Sequence, residues 1–280
     1  MKLILPCLLA GLLVSELGWA QQATPGTKPR YTLRQPTPRP ELRKLHPDRP
    51  GVTESAFTID PGHFQLETNL LRLRNGHENG QRRRELHINQ ATLKLGVSER
   101  TDVQLVLESH TVETEWTGEQ LEHRRGFGDV TVRAKRNLFG DDNETRGALA
   151  VAGYVRLPTG GHVGEGGAEA GLSVPFTHKL NETSELSVQL RGERAYDRDE
   201  TQHFWAVLPA ATVNHEFTKT VGAYAELMSY WDTRQELWRT SLSIGPELTF
   251  GDNCQLDFGT SLPITRETYR EYFVGLTLRR

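Results

Sequence analysis

The chain has 280 residues, 36% of them hydrophobic, with a mean hydropathy of −0.54 and a formal net charge of −3. Beyond the first few residues no apolar run approaches the roughly 20 residues a membrane-spanning helix needs, which excludes a helical membrane protein. It does not exclude a transmembrane barrel, whose strands need only one apolar face. No global basic excess is present, so nothing points to nucleic acid as a partner.

In chain order, the first element predicted is a signal peptide over residues 1–20. Lys2 supplies a positive start, Leu3 to Val14 form a short apolar stretch, and Gly18 and Ala20 stand at minus three and minus one of a cut before Gln21. Cys7 would leave with that peptide. Cys254 would then be the single cysteine of the mature chain, so no intramolecular disulfide is expected. It is read as an ordinary buried or turn residue rather than a nucleophile, since no motif activates it.

Residues 21–50 are rich in proline and in basic residues, among them Pro36, Pro38, Pro40, Arg43, Lys44 and Arg49. Proline without periodic apolar residues builds no packed core, so this segment is expected to be a periplasmic linker. A solvated spacer is preferred to a segment that lies on an anionic surface or folds back into a lumen.

Residues 51–280 are expected to form an antiparallel all-β barrel of meander topology. From Phe64 onward apolar residues fall at every second position, the period of a half-buried strand. Val103, Leu105 and Leu107 alternate with Gln104 and Glu108; Leu186, Val188 and Leu190 alternate with Ser187, Gln189 and Arg191. About twelve such segments follow, from 63–73 to 271–280, each near the length of a tilted transmembrane strand. Short turns are predicted at Ser98–Arg100, Leu180–Thr183, Phe217–Thr220 and Gly251–Asn253. Longer polar loops are predicted at Asn75–Gln81, Glu115–Arg125, Pro158–Gly164, Asp197–Gln202, Asp232–Glu236 and Thr265–Arg270. Gly140–Glu144 stands where a short turn is called for. This rhythm fits short periplasmic turns and longer outer loops. Phe139, Phe176, Phe217 and Phe250 lie beside the short turns, and Trp116, Trp205, Trp231 and Trp238 near the long loops, as two aromatic girdles would.

If the apolar face meets lipid, the opposite face is a charged lumen. Its candidate residues are Glu67, Lys94, Glu108, Asp129, Arg133, Lys135, Arg156, Glu169, Arg191, Glu193, Glu226, Glu247 and Asp257. Arg133, Lys135, Arg156 and Arg191 could form a basic strip, but pairing with Asp129, Glu169 and Glu193 is the preferred reading. A secreted soluble β-sandwich that binds a ligand would show similar alternation. The signal peptide, the even strand count, the turn rhythm and the aromatic placement together favour the membrane.

The segment Asp48-Arg49-Pro50-Gly51-Val52-Thr53-Glu54-Ser55, followed by Phe57-Thr58 and Pro61-Gly62-His63-Phe64-Gln65-Leu66-Glu67, resembles the start of an outer-membrane transporter family, "MetA-pathway of phenol degradation". Gly126-Phe127-Gly128-Asp129-Val130, Tyr154-Val155-Arg156-Leu157-Pro158-Thr159-Gly160 and Phe273-Val274-Gly275-Leu276 are similar to later parts of it. The resemblance runs from Asp48 to the end. It implies a barrel for transport of small compounds, aromatic ones included, and brings no binding residues. Unlike most such barrels, the chain closes on Leu278-Arg279-Arg280 rather than on an aromatic residue.

The function expected is therefore a pore or facilitated transporter in the outer membrane of a Gram-negative bacterium. Its partners would be membrane lipid, the barrel assembly machinery and a small-molecule solute. A barrel enzyme or a purely structural barrel is the alternative. No His-Glu-x-x-His, paired-cysteine or Gly-x-Ser-x-Gly pattern is present, and Gly164, Gly166, Gly167 and Gly171 lack the strand-turn-helix context of a nucleotide loop. No catalytic residue, metal or cofactor is expected.

Overall fold

The computed structural model describes residues 30–280 apart from 79, 80, 119 and 142–144. The expected signal peptide and the first part of the expected linker lie outside these residues. So does most of the Gly140–Glu144 turn.

Among the described residues thirteen strands form one antiparallel sheet: β1 (Phe64–Glu78), β2 (Gln81–Ser98), β3 (Thr101–Thr117), β4 (Gln120–Gly126), β5 (Val130–Phe139), β6 (Gly147–Leu157), β7 (Glu169–Lys179), β8 (Ser184–Asp197), β9 (Gln202–Glu216), β10 (Val221–Asp232), β11 (Leu237–Thr249), β12 (Cys254–Pro263) and β13 (Arg270–Arg279). Apart from β4 and β5, neighbours in sequence pair in space, and β1 closes the ring by pairing with β13, Gln65 against Arg279 and Asn75 against Arg270. Closure leaves twelve strands in the wall, because β4 and β5 are successive pieces of one staircase on β3. Val103 and Leu107 face Ala134 and Val130 of β5, whereas Thr111 and Thr117 face Gly126 and Gln120 of β4. The break falls at Phe127-Gly128-Asp129.

The distribution of side chains is inverted relative to a soluble protein. On β8, Leu190 is 57% exposed and its neighbour Gln189 4%; on β7, Leu172 is 54% exposed and Ser173 1%. Lys94, Lys135, Glu226, Asp257 and Thr277 are all buried. Apolar surface at this density on nearly every strand would stay in water only at large cost, so the outward face meets lipid and the inward face is the lumen. A soluble sandwich would bury its leucines instead. Phe64, Phe139, Phe217 and Phe250 stand exposed near the short turns, and Trp205, Trp238 and Tyr272 near the other end. These are the two borders of the apolar band.

Short turns close as expected: the amide of Leu180 donates to Ser184 O, Phe217 to Val221 O and Phe250 to Cys254 O, each at 2.8–2.9 Å. Two predicted outer loops do not form. Asn75–Gln81 and Glu115–Arg125 belong largely to the extended ends of the β1–β2 and β3–β4 hairpins. Cross-strand charge pairs hold them: Arg74 to Glu85 at 2.7 Å, and Arg83 and Arg124 to Glu115 at 3.3 and 2.9 Å. Arg82 lies over the ring of Trp116. Beyond the lipid both faces of a strand can be polar, so polarity there no longer marks a loop.

Candidate functional site

The lumen is occupied by the chain's own N-terminal segment. Residues 31–50, expected to be a solvated linker, are instead tied to the barrel. At the end that carries the short turns, Arg43 pairs with Asp60 and Asp141 at 2.7 Å each, and Arg279 donates to Arg43 O at 2.7 Å. From there the chain climbs into the lumen, turns through Asp48–Ser55, and returns to enter β1 at Phe64. This plug is anchored almost entirely by polar contacts. Among the described residues its apolar footing includes Ala56 and Phe57 against Ala148 and Ala150 of β6.

Within the turn Asp48–Ser55 each charge meets the opposite charge on the wall. Asp48 accepts from Lys94 of β2 at 2.6 Å and from Lys135 of β5 at 2.6 and 2.7 Å, and Lys94 also contacts Glu67. Burial alone would raise the Asp48 pKa, but the two ammonium groups outweigh it and hold the carboxyl well below the usual carboxylate range. Arg49 makes a two-point contact with Asp257 of β12 at 2.6 and 3.1 Å, and donates to Asn69 Oδ1 at 2.8 Å. Glu54 faces Arg133 of β5 and Arg191 of β8 at 3.0 and 3.4 Å, and these bring its pKa down despite burial. The plug backbone is matched as well. The amides of Val52 and Thr53 donate to Glu226 of β10 at 2.9 and 2.7 Å, as does Thr53 Oγ1 at 2.7 Å, while Glu54 N donates to Gln189 Oε1 at 2.9 Å.

Two glycines mark the closest approaches. A Cβ on Gly51 would stand 2.3 Å from Glu226 Oε1, and one on Gly275 would stand 1.6 Å from Arg49 Nη2. At both places plug and wall meet with no room for a side chain.

The remaining candidate residues have other tasks. Arg156 pairs with Glu169 at 2.7 Å, the wall-to-wall pairing that the sequence favours. Arg133, Lys135 and Arg191 instead take their partners from the plug. Asp129, at the β4–β5 break, accepts from Gly160 N and Glu165 N at 2.8 and 2.9 Å and so draws the loop after β6 over the lumen, with Val163 buried beneath it. Glu193 accepts from Tyr154 at 2.5 Å, Glu247 from Asn214 at 3.2 Å, and Glu108 from Gln90 at 3.4 Å. Among the described residues no group of three or more His, Cys, Asp or Glu is placed to hold a metal. Cys254 is a free thiol at the start of β12.

Two cavities flank the plug. The outer one, of about 640 Å³, is lined by Arg133, Tyr154, Arg156, Glu165, Arg191 and Tyr230; the inner one, of about 1080 Å³, by Lys44, Lys179, Asn214, Glu216, Glu247 and Gln255. Both reach Arg49 and Gly51, so the two cavities meet at the turn of the plug. Reading the sequence without the fold missed Asp48, Arg49 and Glu54 as functional residues. The available signal was their alternation of sign around Pro-Gly, beside a wall rich in buried charge.

Among solved structures, the chain is similar to an outer membrane channel from Pseudomonas putida F1, with a TM-score of 0.52 and 15% identity over 78% of this chain and 91% of that one. Weaker likenesses are the NanC porin (TM-score 0.47, 10% identity, 74% and 98% covered) and the β domain of a Bordetella autotransporter, BrkA (TM-score 0.48, 11% identity, 77% and 98% covered). No curated protein matches the sequence. The closed wall with its lipid-facing belt is that of a bacterial outer-membrane barrel, and a family model described as "Putative MetA-pathway of phenol degradation" matches residues 47–278, from the plug to the last strand. The chain belongs to that family.

Proposed function

We propose that this protein is a gated pore that carries small compounds, aromatic ones among them, across the outer membrane, and that Asp48–Ser55 closes it. The observation that carries this reading is the pair of cavities meeting at a plug held by reversible polar contacts. A segment meant only to fill the barrel would be served better by apolar packing, which costs no desolvation of charge. The family's description supports an aromatic cargo. The outer cavity fits passage, because carboxylates on its wall such as Glu169, Glu193 and Glu271 are committed to ion pairs and hydrogen bonds. Insertion would proceed through the barrel assembly machinery.

Single-channel recording in planar bilayers tests the reading. The wild-type protein should show small, infrequent steps. A Glu226→Gln variant, which weakens the hold on Val52 and Thr53, should open more often. A correctly folded barrel that never conducts in either form would refute it.

A further inference from the structure

Glu54 is a carboxylate seated between two guanidinium groups of the wall, with Ser173 Oγ donating to its second oxygen at 3.3 Å. Glu54, Arg133 and Arg191 all line the outer cavity, so a molecule arriving from outside meets the same two arginines that hold the plug. The Nε atoms of Arg133 and Arg191 are buried and have no hydrogen-bond partner. Glu54 therefore leaves donors unused on both, and a carboxylate free to orient itself can engage them side-on. The ring of Tyr154 lies 5.9 Å from the Arg133 guanidinium and gives a flat apolar surface beside it.

Electrostatics link this seat to gating. With the plug in place, Asp48 matches Lys94 and Lys135, and Glu54 matches Arg133 and Arg191. When the plug withdraws, only Lys94 of these four keeps a salt-bridge partner on the wall among the described residues, namely Glu67. Unpaired cations in a narrow lumen are costly, so the plug leaves most easily when another anion takes its place.

Resting on the pore reading above, we infer that Arg133 and Arg191 form a carboxylate-binding site that the plug's own Glu54 occupies in the closed state. A small organic carboxylate, preferably an aryl one that packs beside Tyr154, replaces Glu54 and releases the plug. The solute thereby opens the path it then takes.

Planar-bilayer recording with benzoate added to the outer side tests this, with benzyl alcohol as a neutral probe of similar shape. Benzoate should raise the open fraction of the wild-type channel saturably, and benzyl alcohol should not. Arg191→Gln should raise the half-maximal benzoate concentration about tenfold, the size of one charged hydrogen bond lost. Glu54→Gln should open without benzoate. Heat-modifiable gel mobility confirms that each variant is folded, and Arg133→Gln serves as the second probe should Arg191→Gln fail to fold. Equal responses to benzoate and benzyl alcohol, or an unshifted half-maximal concentration in the arginine variant, would overturn the inference. If Glu54→Gln conducts while benzoate leaves the wild type unchanged, the carboxylate site fails and the pore stands. If neither the wild type nor Glu54→Gln conducts, both fall.

Discussion

Leu190 and Gln189 are consecutive residues of β8, yet they belong to different solvents and obey different rules. The outward face is specified loosely. Leu172, Val188, Leu190, Val213 and Leu227 stand free in the lipid belt, and lipid asks only that a side chain be apolar. The inward face is specified contact by contact: Glu226 accepts from two amides and a hydroxyl of the plug, and Lys135 serves both Asp48 and Ser55 O. The difference teaches that the same alternating strand carries two kinds of information. One face sets location and tolerates substitution. The other sets the state of the pore and does not.

Several substitutions would sharpen or break this contrast. The largest effect is expected for Lys135→Ala, which leaves the buried Asp48 carboxylate with Lys94 as its one remaining cation beside the amide and hydroxyl of Ser55. A loss of about 3–5 kcal/mol is expected in the unfolding free energy measured by urea titration of the protein in vesicles. On the other face, Leu190→Arg places a charge in the belt midway along β8 and should cost about 2–4 kcal/mol by the same assay. An equivalent change at Phe217, near the border, should cost far less, and equal losses at the two sites would contradict the placement of the belt.

An acid titration comes next in size. The Asp48 pKa is depressed in the folded state, so its contribution is fully present above the ordinary carboxylate value of about 3.9 and is lost only as pH falls through the lower folded value. Thiol labelling of Val52→Cys in a Cys254→Ser background should stay slow from about pH 7 down to about pH 5. Faster labelling already at the upper end of that window would contradict the account of the Asp48 site. Thr53→Ala removes one hydrogen bond to Glu226 and should cost about 1 kcal/mol. Leu172→Ile, in the lipid belt, should change the unfolding free energy by less than about 0.5 kcal/mol.

The wall was legible in the sequence because its rule is local. A period of two, broken by turn residues, gives strands and their order without knowledge of any partner. Polarity misled only where strands rise beyond the lipid, at Asn75–Gln81 and Glu115–Arg125. There the alternation that marks a membrane strand has no apolar solvent to answer.

The plug was not legible as a plug. Its residues stood out as a family resemblance, and its prolines and charges read equally well as a solvated linker. What decides its place is pairing across long stretches of chain: Asp48 with Lys94 and Lys135, 46 and 87 residues away, and Arg49 with Asp257, 208 residues away. The sequence by itself determined a lipid-facing barrel, because alternation and turn chemistry act between neighbours. Only the tertiary structure decided that Asp48–Ser55 closes the lumen, because a buried charge is stable only opposite its partner, and closure of the barrel is what brings the partners together.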